Sequence, residues 1–254
     1  MEIRKNDKTA EDVIDGERTE RSELSAKIQR LHIFFSLLIP DMTHEERQLL
    51  DEALIQTYAG KGITHQNESL YDEMGSYKTM PVLGDLYDVL KKSTETSRMA
   101  NILNRLVHGS ASTFNQQTNV RLDNKYIVRD IAELTGDLLT VGMFLVLDYV
   151  CDKAKEDRTQ GKAIVIDEVW QLIGASSNRL AAEFVLEIFK IIRGYGGAAI
   201  CATQDINDFL SLDDGKYGKG IINNSKTKIV LNLEDEEAQR VQHILNLSNT
   251  EIMH

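Results

Sequence analysis

Ala163-Ile164-Val165-Ile166-Asp167-Glu168 decides the fold: an apolar run with three β-branched residues is followed at once by two acids. That pattern suits a strand buried inside a parallel sheet, with polar groups gathering just past its carboxyl end. The flanking sequence agrees. A helix is expected at about Thr135 to Glu156 before it and at about Arg179 to Arg193 after it. A second strand at Ala198 to Ala202, another helix and a third strand at Lys228 to Leu233 then follow. Strands alternating with helices imply a mostly parallel sheet flanked by helices. Short extended segments at Val120-Arg121-Leu122 and Tyr126-Ile127-Val128, around the turn residues Asp123 and Asn124, mark where this α/β region starts.

Upstream the periodicity is helical, with very little strand signal. Leu24, Ile28, Leu31, Phe35 and Leu38 recur at three- and four-residue steps up to Pro40, as one apolar helix face should. Thr43-His44-Glu45-Glu46 is a capping box, in which the Thr43 hydroxyl and the Glu46 carboxylate satisfy backbone donors of a helix running towards Gly60. Lys61 to Lys78 reads as a polar connection, and Pro81 suits the first turn of the next helix. Ser97 to Val107 forms one more amphipathic helix. The expected organisation is an all-helical subdomain over residues 1–115 and an α/β core over residues 116–254.

The chain of 254 residues has 40 acidic and 29 basic side chains, a net charge of -11 that opposes non-specific attraction to nucleic acid or anionic lipid. Cys151 and Cys201 each lie in an apolar stretch, which fits buried thiols in a reducing compartment rather than a disulfide framework. The apolar stretch Leu138 to Leu147 is interrupted by Thr140 and Gly142 and ends at Asp148, short of the roughly 20 residues that span a bilayer. The first residues lack the apolar core of a secretory signal. A cytoplasmic location is expected. The histidines are scattered, and His44 sits inside the capping box, so no histidine metal centre is expected.

At the carboxyl end of the first core strand, Asp167 suits a magnesium ion, held directly or through water, and Glu168 suits the orientation of a water against a terminal phosphate. An acidic pair that merely ends a buried strand reads the same way. The next strand ends in Thr203-Gln204, and the Gln204 amide offers both a donor and an acceptor to a phosphate or a water. Gln204 also reads as a residue leading into the helix after Asp205. Arg193 closes a largely apolar helix just before Gly194, where it either complements the helix dipole or reaches a neighbouring subunit's nucleotide as a finger. Asn223 and Asn224 precede the third strand, where they contact a nucleotide or make a turn. Asp213 to Gly220 reads as a mobile surface loop.

A phosphate-binding loop needs Gly-x-x-x-x-Gly-Lys-Ser/Thr, so that backbone N–H groups cradle the phosphates and the hydroxyl binds magnesium. Gly60-Lys61, Gly161-Lys162, Gly215-Lys216 and Gly218-Lys219 are followed by Gly62, Ala163, Tyr217 and Gly220, and none supplies the hydroxyl.

The ordered set Ala163 to Trp170, Arg193-Gly194-Tyr195-Gly196-Gly197, Ala202-Thr203-Gln204-Asp205 and Ile221 to Ile229 resembles the conjugative-transfer ATPases of the TraC/TrbE class. These are cytoplasmic ATPases of type IV secretion systems, related to the HerA and FtsK DNA motors. Met80 to Leu86 and Gly109 to Phe114 are similar too. The resemblance implies a RecA-like ATPase core with ATP and Mg2+ as cofactors, working as a hexamer or dimer. It also implies secretion-channel partners at the inner face of the cell membrane and contact with DNA through coupling proteins. It carries over Asp167 as the magnesium-associated acid, Glu168 as the catalytic carboxylate, Gln204 as the phosphate sensor and Arg193 as a finger, while Asn224, from its place before the third strand, is the expected cofactor-binding residue. A HerA/FtsK-like DNA translocase and a non-catalytic interaction module of the same fold are the alternatives.

The family's phosphate-binding loop and its strand are expected upstream of Met1, beside the strand that ends in Asp167. A second capping box, Ser248-Asn249-Thr250-Glu251, opens a helix only three residues before His254, so the chain is expected to be cut at both ends. Alone, it is expected to hydrolyse ATP poorly or not at all.

Overall fold

A computed structural model describes residues 1, 3, 12–14, 17–19, 22–117, 124–131, 133–134, 136–175 and 177–248. The expected segment at Val120-Arg121-Leu122 and the capping box at Ser248 to Glu251 fall wholly or partly outside them. Two compact units form, Met1–Asp157 and Arg158–His254. This division differs from the change of pattern read at residue 116.

In the first unit, β1 (Asp12–Ile14) and β2 (Glu17–Thr19) make a short antiparallel ribbon in a region expected to be all helical. Four helices follow: α1 (Glu23–Leu38), α2 (His44–Ala59), α3 (Leu83–Leu90) and α4 (Ser97–Val107). In α1 the periodic residues Leu24, Ile28, Leu31 and Phe35 are buried, as are Phe34 and Leu37. The long helix α5 (Asp137–Glu156) packs along α1. Tyr126-Ile127-Val128, expected to be extended and paired, joins no strand among the described residues.

The α1–α5 seam holds an ion network in an otherwise apolar setting. Lys27 Nζ lies 2.9 Å from Asp148, Arg30 Nη1 lies 3.1 Å from the same carboxylate, and Arg30 also pairs with Asp152. Burial pushes the Asp148 carboxyl up, yet the charges of Lys27 and Arg30 outweigh it and hold the group below its ordinary value. Cys151, on the same helix, is buried, and burial pushes its thiol up to about 12, which keeps it protonated and unreactive.

The capping box of α2 forms as read. Thr43 N–H donates to Glu46 Oε2 at 2.9 Å, and Glu46 N–H donates to the Thr43 hydroxyl at 3.1 Å. The Thr43 backbone donor, and then Arg98 at 2.7 Å, lower the Glu46 carboxyl from its ordinary value of 4.5. Thr43→Ala is expected to cost about 1 kcal/mol in denaturant unfolding at neutral pH. Because the Glu46 carboxyl is lowered in the fold, its contribution is complete above the ordinary value and disappears as pH falls through the depressed one. An unchanged unfolding midpoint in Thr43→Ala would refute the cap's contribution.

Among the described residues the second unit is built on two strands, β3 (Lys162–Ile166) and β4 (Gly197–Cys201), paired in parallel with Ile166 opposite Cys201. Between them run α6 (Trp170–Ile173) and α7 (Arg179–Ile191), and α8 (Ile206–Phe209), α9 (Lys216–Asn224) and α10 (Asp235–Leu245) follow. This is the helix-flanked parallel α/β arrangement read from the sequence. The core forms where α7 buries Ala181, Ala182, Val185 and Ile188 and packs on α6, α9 and β4. Alternation sends Ile164 and Ile166 into the interior, while Val165 and Ile200 are 68% and 51% exposed on the other face. Parallel sheets are normally covered on both faces, so this one presents bare apolar surface.

The expected third strand does not form: Lys228 to Leu233 pairs with no strand among the described residues, and Ile229 and Leu231 are 81% and 79% exposed. An apolar run becomes a strand only where an adjacent edge offers matching donors and acceptors. The expected loop at Asp213 to Gly220 is also revised. Its second half is the start of α9, Tyr217 is buried, and Arg179 donates to Asp213 Oδ1 through Nε at 3.0 Å and Nη2 at 2.7 Å. No helix among the described residues is long and apolar enough to cross a membrane.

Candidate functional site

The pairing of β3 with β4 brings the two polar strand ends together. It continues one step past the strands, with Ala202 N–H donating to the Ile166 carbonyl at 2.9 Å and Val169 N–H donating to the Ala202 carbonyl at 3.3 Å. Asp167-Glu168 and Thr203-Gln204 therefore leave the sheet side by side at its carboxyl edge, where parallel sheets place ligands.

Local bonds shape both strand ends. Asp167 is exposed, and its Oδ1 accepts the N–H of Glu168 at 3.0 Å. Glu168 adopts φ 51°, a left-handed conformation that costs a non-glycine residue about 1–2 kcal/mol. Its carboxylate Oε2 accepts the indole N–H of Trp170. Across the edge, the Thr203 hydroxyl donates to the Asp205 carbonyl at 3.0 Å, and Asp205 caps α8 by accepting from Asn207 N–H at 2.7 Å and Asp208 N–H at 3.1 Å. The capping role falls to Asp205. Gln204 is exposed between these anchored residues, and its amide bonds to none of the described residues.

The other two candidates lie elsewhere. Arg193 is exposed in a tight helical turn, Ile192–Tyr195, that leads into the amino end of β4, whereas Gln204 follows its carboxyl end. The glycines after it serve that turn: Gly196 has φ 71°, and a Cβ there would stand 2.6 Å from the Arg158 carbonyl oxygen. Within this chain Arg193 does not meet the acidic pair. Asn224 ends α9 and donates to the Gly220 carbonyl at 2.8 Å. No described bond joins it to Asp167 or Glu168.

Trp170 lies two residues beyond the decisive stretch, and reading the sequence alone assigned it no role. Its partnership with Glu168 depends on the left-handed turn, for which neither residue type is a signal.

Among the described residues no group of three or more His, Cys, Asp or Glu gathers to hold a metal. An exposed carboxylate at the sheet edge fits magnesium, which keeps several waters and takes one or two carboxylates together with substrate phosphates. Asp167 suits that ion, and Glu168 and Gln204 suit the water beside it. The backbone cradle for phosphates has no counterpart in this sequence.

The chain is similar to known proteins. The chain is 25% identical to Protein TraC of Escherichia coli (strain K12) over 193 residues, which are 72% of this chain and 22% of that protein. The solved structure of VirB4 of Thermoanaerobacter pseudethanolicus matches with a TM-score of 0.81 at 28% identity, covering 92% of this chain and 64% of that one. The chain thus spans less than two thirds of each. The profile of the TraG P-loop domain matches residues 44–254. The chain belongs to the TraG P-loop domain family, within the conjugative-transfer and type IV secretion class that its strand ends resemble.

Proposed function

We propose that this chain supplies the carboxylate side of an ATP-hydrolysing motor domain in conjugative transfer or type IV secretion. The observation that carries this reading is the shared sheet edge, where Asp167 and Glu168 stand beside Thr203 and Gln204 in a member of this family. Asp167 would hold a magnesium ion through its carboxylate, and that ion would supply neutralisation of the charge that develops on the phosphates. Glu168 orients the attacking water by accepting its hydrogen bond, and the Gln204 amide donates to a terminal phosphate oxygen or to the same water.

Arg193, remote from this edge, reaches a nucleotide only across a subunit boundary, which supports a homo-oligomer such as a hexamer or dimer. Asn224 contacts the nucleotide from the end of α9. The net charge of -11 supports protein partners over direct DNA binding, with DNA handed on by coupling proteins. The domain then works in the cytoplasm, against secretion-channel proteins at the inner face of the membrane.

The test compares magnesium-dependent ATP turnover by this chain with turnover by a version extended upstream through a Gly-x-x-x-x-Gly-Lys-Ser/Thr loop. Turnover only in the extended chain is the expected result. Silence in both would favour a non-catalytic module of the same fold.

A further inference from the structure

A strand continued through Asp167 and Glu168 would send their side chains to opposite faces. Here the chain turns instead, because Glu168 takes φ 51° and its carboxylate folds onto the indole of Trp170, two residues on. The turn is clamped at both ends. Before it, the Ile166 carbonyl accepts from Ala202, and Asp167 Oδ1 accepts from the Glu168 N–H. After it, Val169 is fully buried and bonded to Ala202, and Leu172 and Ile173 are fully buried too.

Gly174 closes the segment by donating its N–H to the Trp170 carbonyl at 2.6 Å. A Cβ at Gly174 would stand 2.7 Å from that same oxygen, so this close return needs glycine. The indole is thus carried on a short, anchored piece of backbone. Strained residues persist where the surrounding structure over-determines them, and they cluster at active sites.

We propose that Trp170 is the positioning residue for Glu168, its indole N–H holding Oε2 so that the other carboxylate oxygen is presented to the water. This rests on the reading of Glu168 as the carboxylate that orients water. The chemistry suits the role, because an indole N–H only donates: it fixes the carboxylate without competing for the water's proton. A hydrogen bond to an ionised acceptor is also among the stronger ones. Without it, a glutamate has three side-chain torsions to sample, and small misplacements of a reacting group reduce rate steeply.

Trp170 is the only tryptophan, so its indole N–H gives one isolated peak in a proton–nitrogen correlation spectrum of the chain as it stands. That peak is expected to move and to exchange faster with water in Glu168→Ala, and to stay in place in Asp167→Asn. An indole peak identical in wild type and Glu168→Ala would overturn the proposal. In the extended chain, Trp170→Phe keeps a flat apolar ring but removes the donor, and is expected to lower kcat about tenfold with KM within twofold. If Glu168→Gln abolishes turnover while Trp170→Phe leaves kcat unchanged, the positioning role fails and the catalytic reading stands. If Glu168→Gln leaves turnover intact, the catalytic reading fails and the positioning role falls with it. Should Trp170→Phe fail to fold, the indole spectrum of Glu168→Ala decides alone.

Discussion

Glu168→Gln, placed in a chain that also carries a phosphate-binding loop, is expected to lower ATP turnover by about 10²- to 10⁴-fold, the usual contribution of a positioned general base. The amide keeps the volume and one acceptor oxygen, so the fold and the contact with Trp170 suffer little. It loses the negative charge that draws the water's proton. Nucleotide affinity is expected to change far less than turnover, because Asp167 and not Glu168 faces the metal in this reading. Single-turnover hydrolysis alongside equilibrium nucleotide binding separates the two effects. Equal losses in both would move Glu168 from catalysis to binding, and a fall below about threefold would remove it from the mechanism.

The second large effect lies in the first unit and concerns stability alone. Asp148 is 3% exposed between Lys27 and Arg30, so Asp148→Ala leaves Lys27 facing a cavity without a counter-charge. Breaking such a pair from one side costs about 3–5 kcal/mol, against about 5–15 kcal/mol for the whole stability of a typical domain. Arg30 keeps Asp152 and is the less affected partner. Replacing both members of the first pair, Lys27→Met with Asp148→Leu, is expected to cost far less, since no buried charge is left alone.

The pH dependence follows from the direction of the Asp148 shift. Its carboxyl is held below the ordinary value of 3.8, so its contribution is complete above that value and is lost as acid drives pH through the depressed one. Urea unfolding of the wild type, the single variant and the pair measures all of this. A single variant within 1 kcal/mol of wild type would show that the network adds little.

The two predictions concern different kinds of residue, and only one kind is visible in a sequence. Glu168 was legible because its neighbours in the chain also determine its setting: an apolar strand ends, and an acid follows. The Lys27–Asp148 contact joins residues 121 apart, and Asp148 alone read as the polar stop of an apolar stretch. A buried ion pair has no local pattern, since each partner looks like an ordinary surface charge until the other helix packs against it.

The sequence by itself determined the helices α1, α2 and α7, the cap at Thr43, the parallel pair β3 and β4, and the acids at their edge. In each case the signal lies within one turn or one strand, where periodicity, capping chemistry and β-branching act directly on neighbouring residues. Tertiary structure decided the rest. Lys228 to Leu233 has the composition of a strand and finds no ladder among the described residues, because pairing depends on an edge rather than on the run itself. Asp213 to Gly220 looked like a loose loop and is anchored, because Arg179 meets Asp213 from another helix. Arg193 and Gln204 are eleven positions apart and lie at opposite ends of β4, since a strand rises about 3.3 Å per residue. Glu168 reaches Trp170 only through a left-handed turn that buried neighbours hold in place, a constraint set by packing rather than by the local chain.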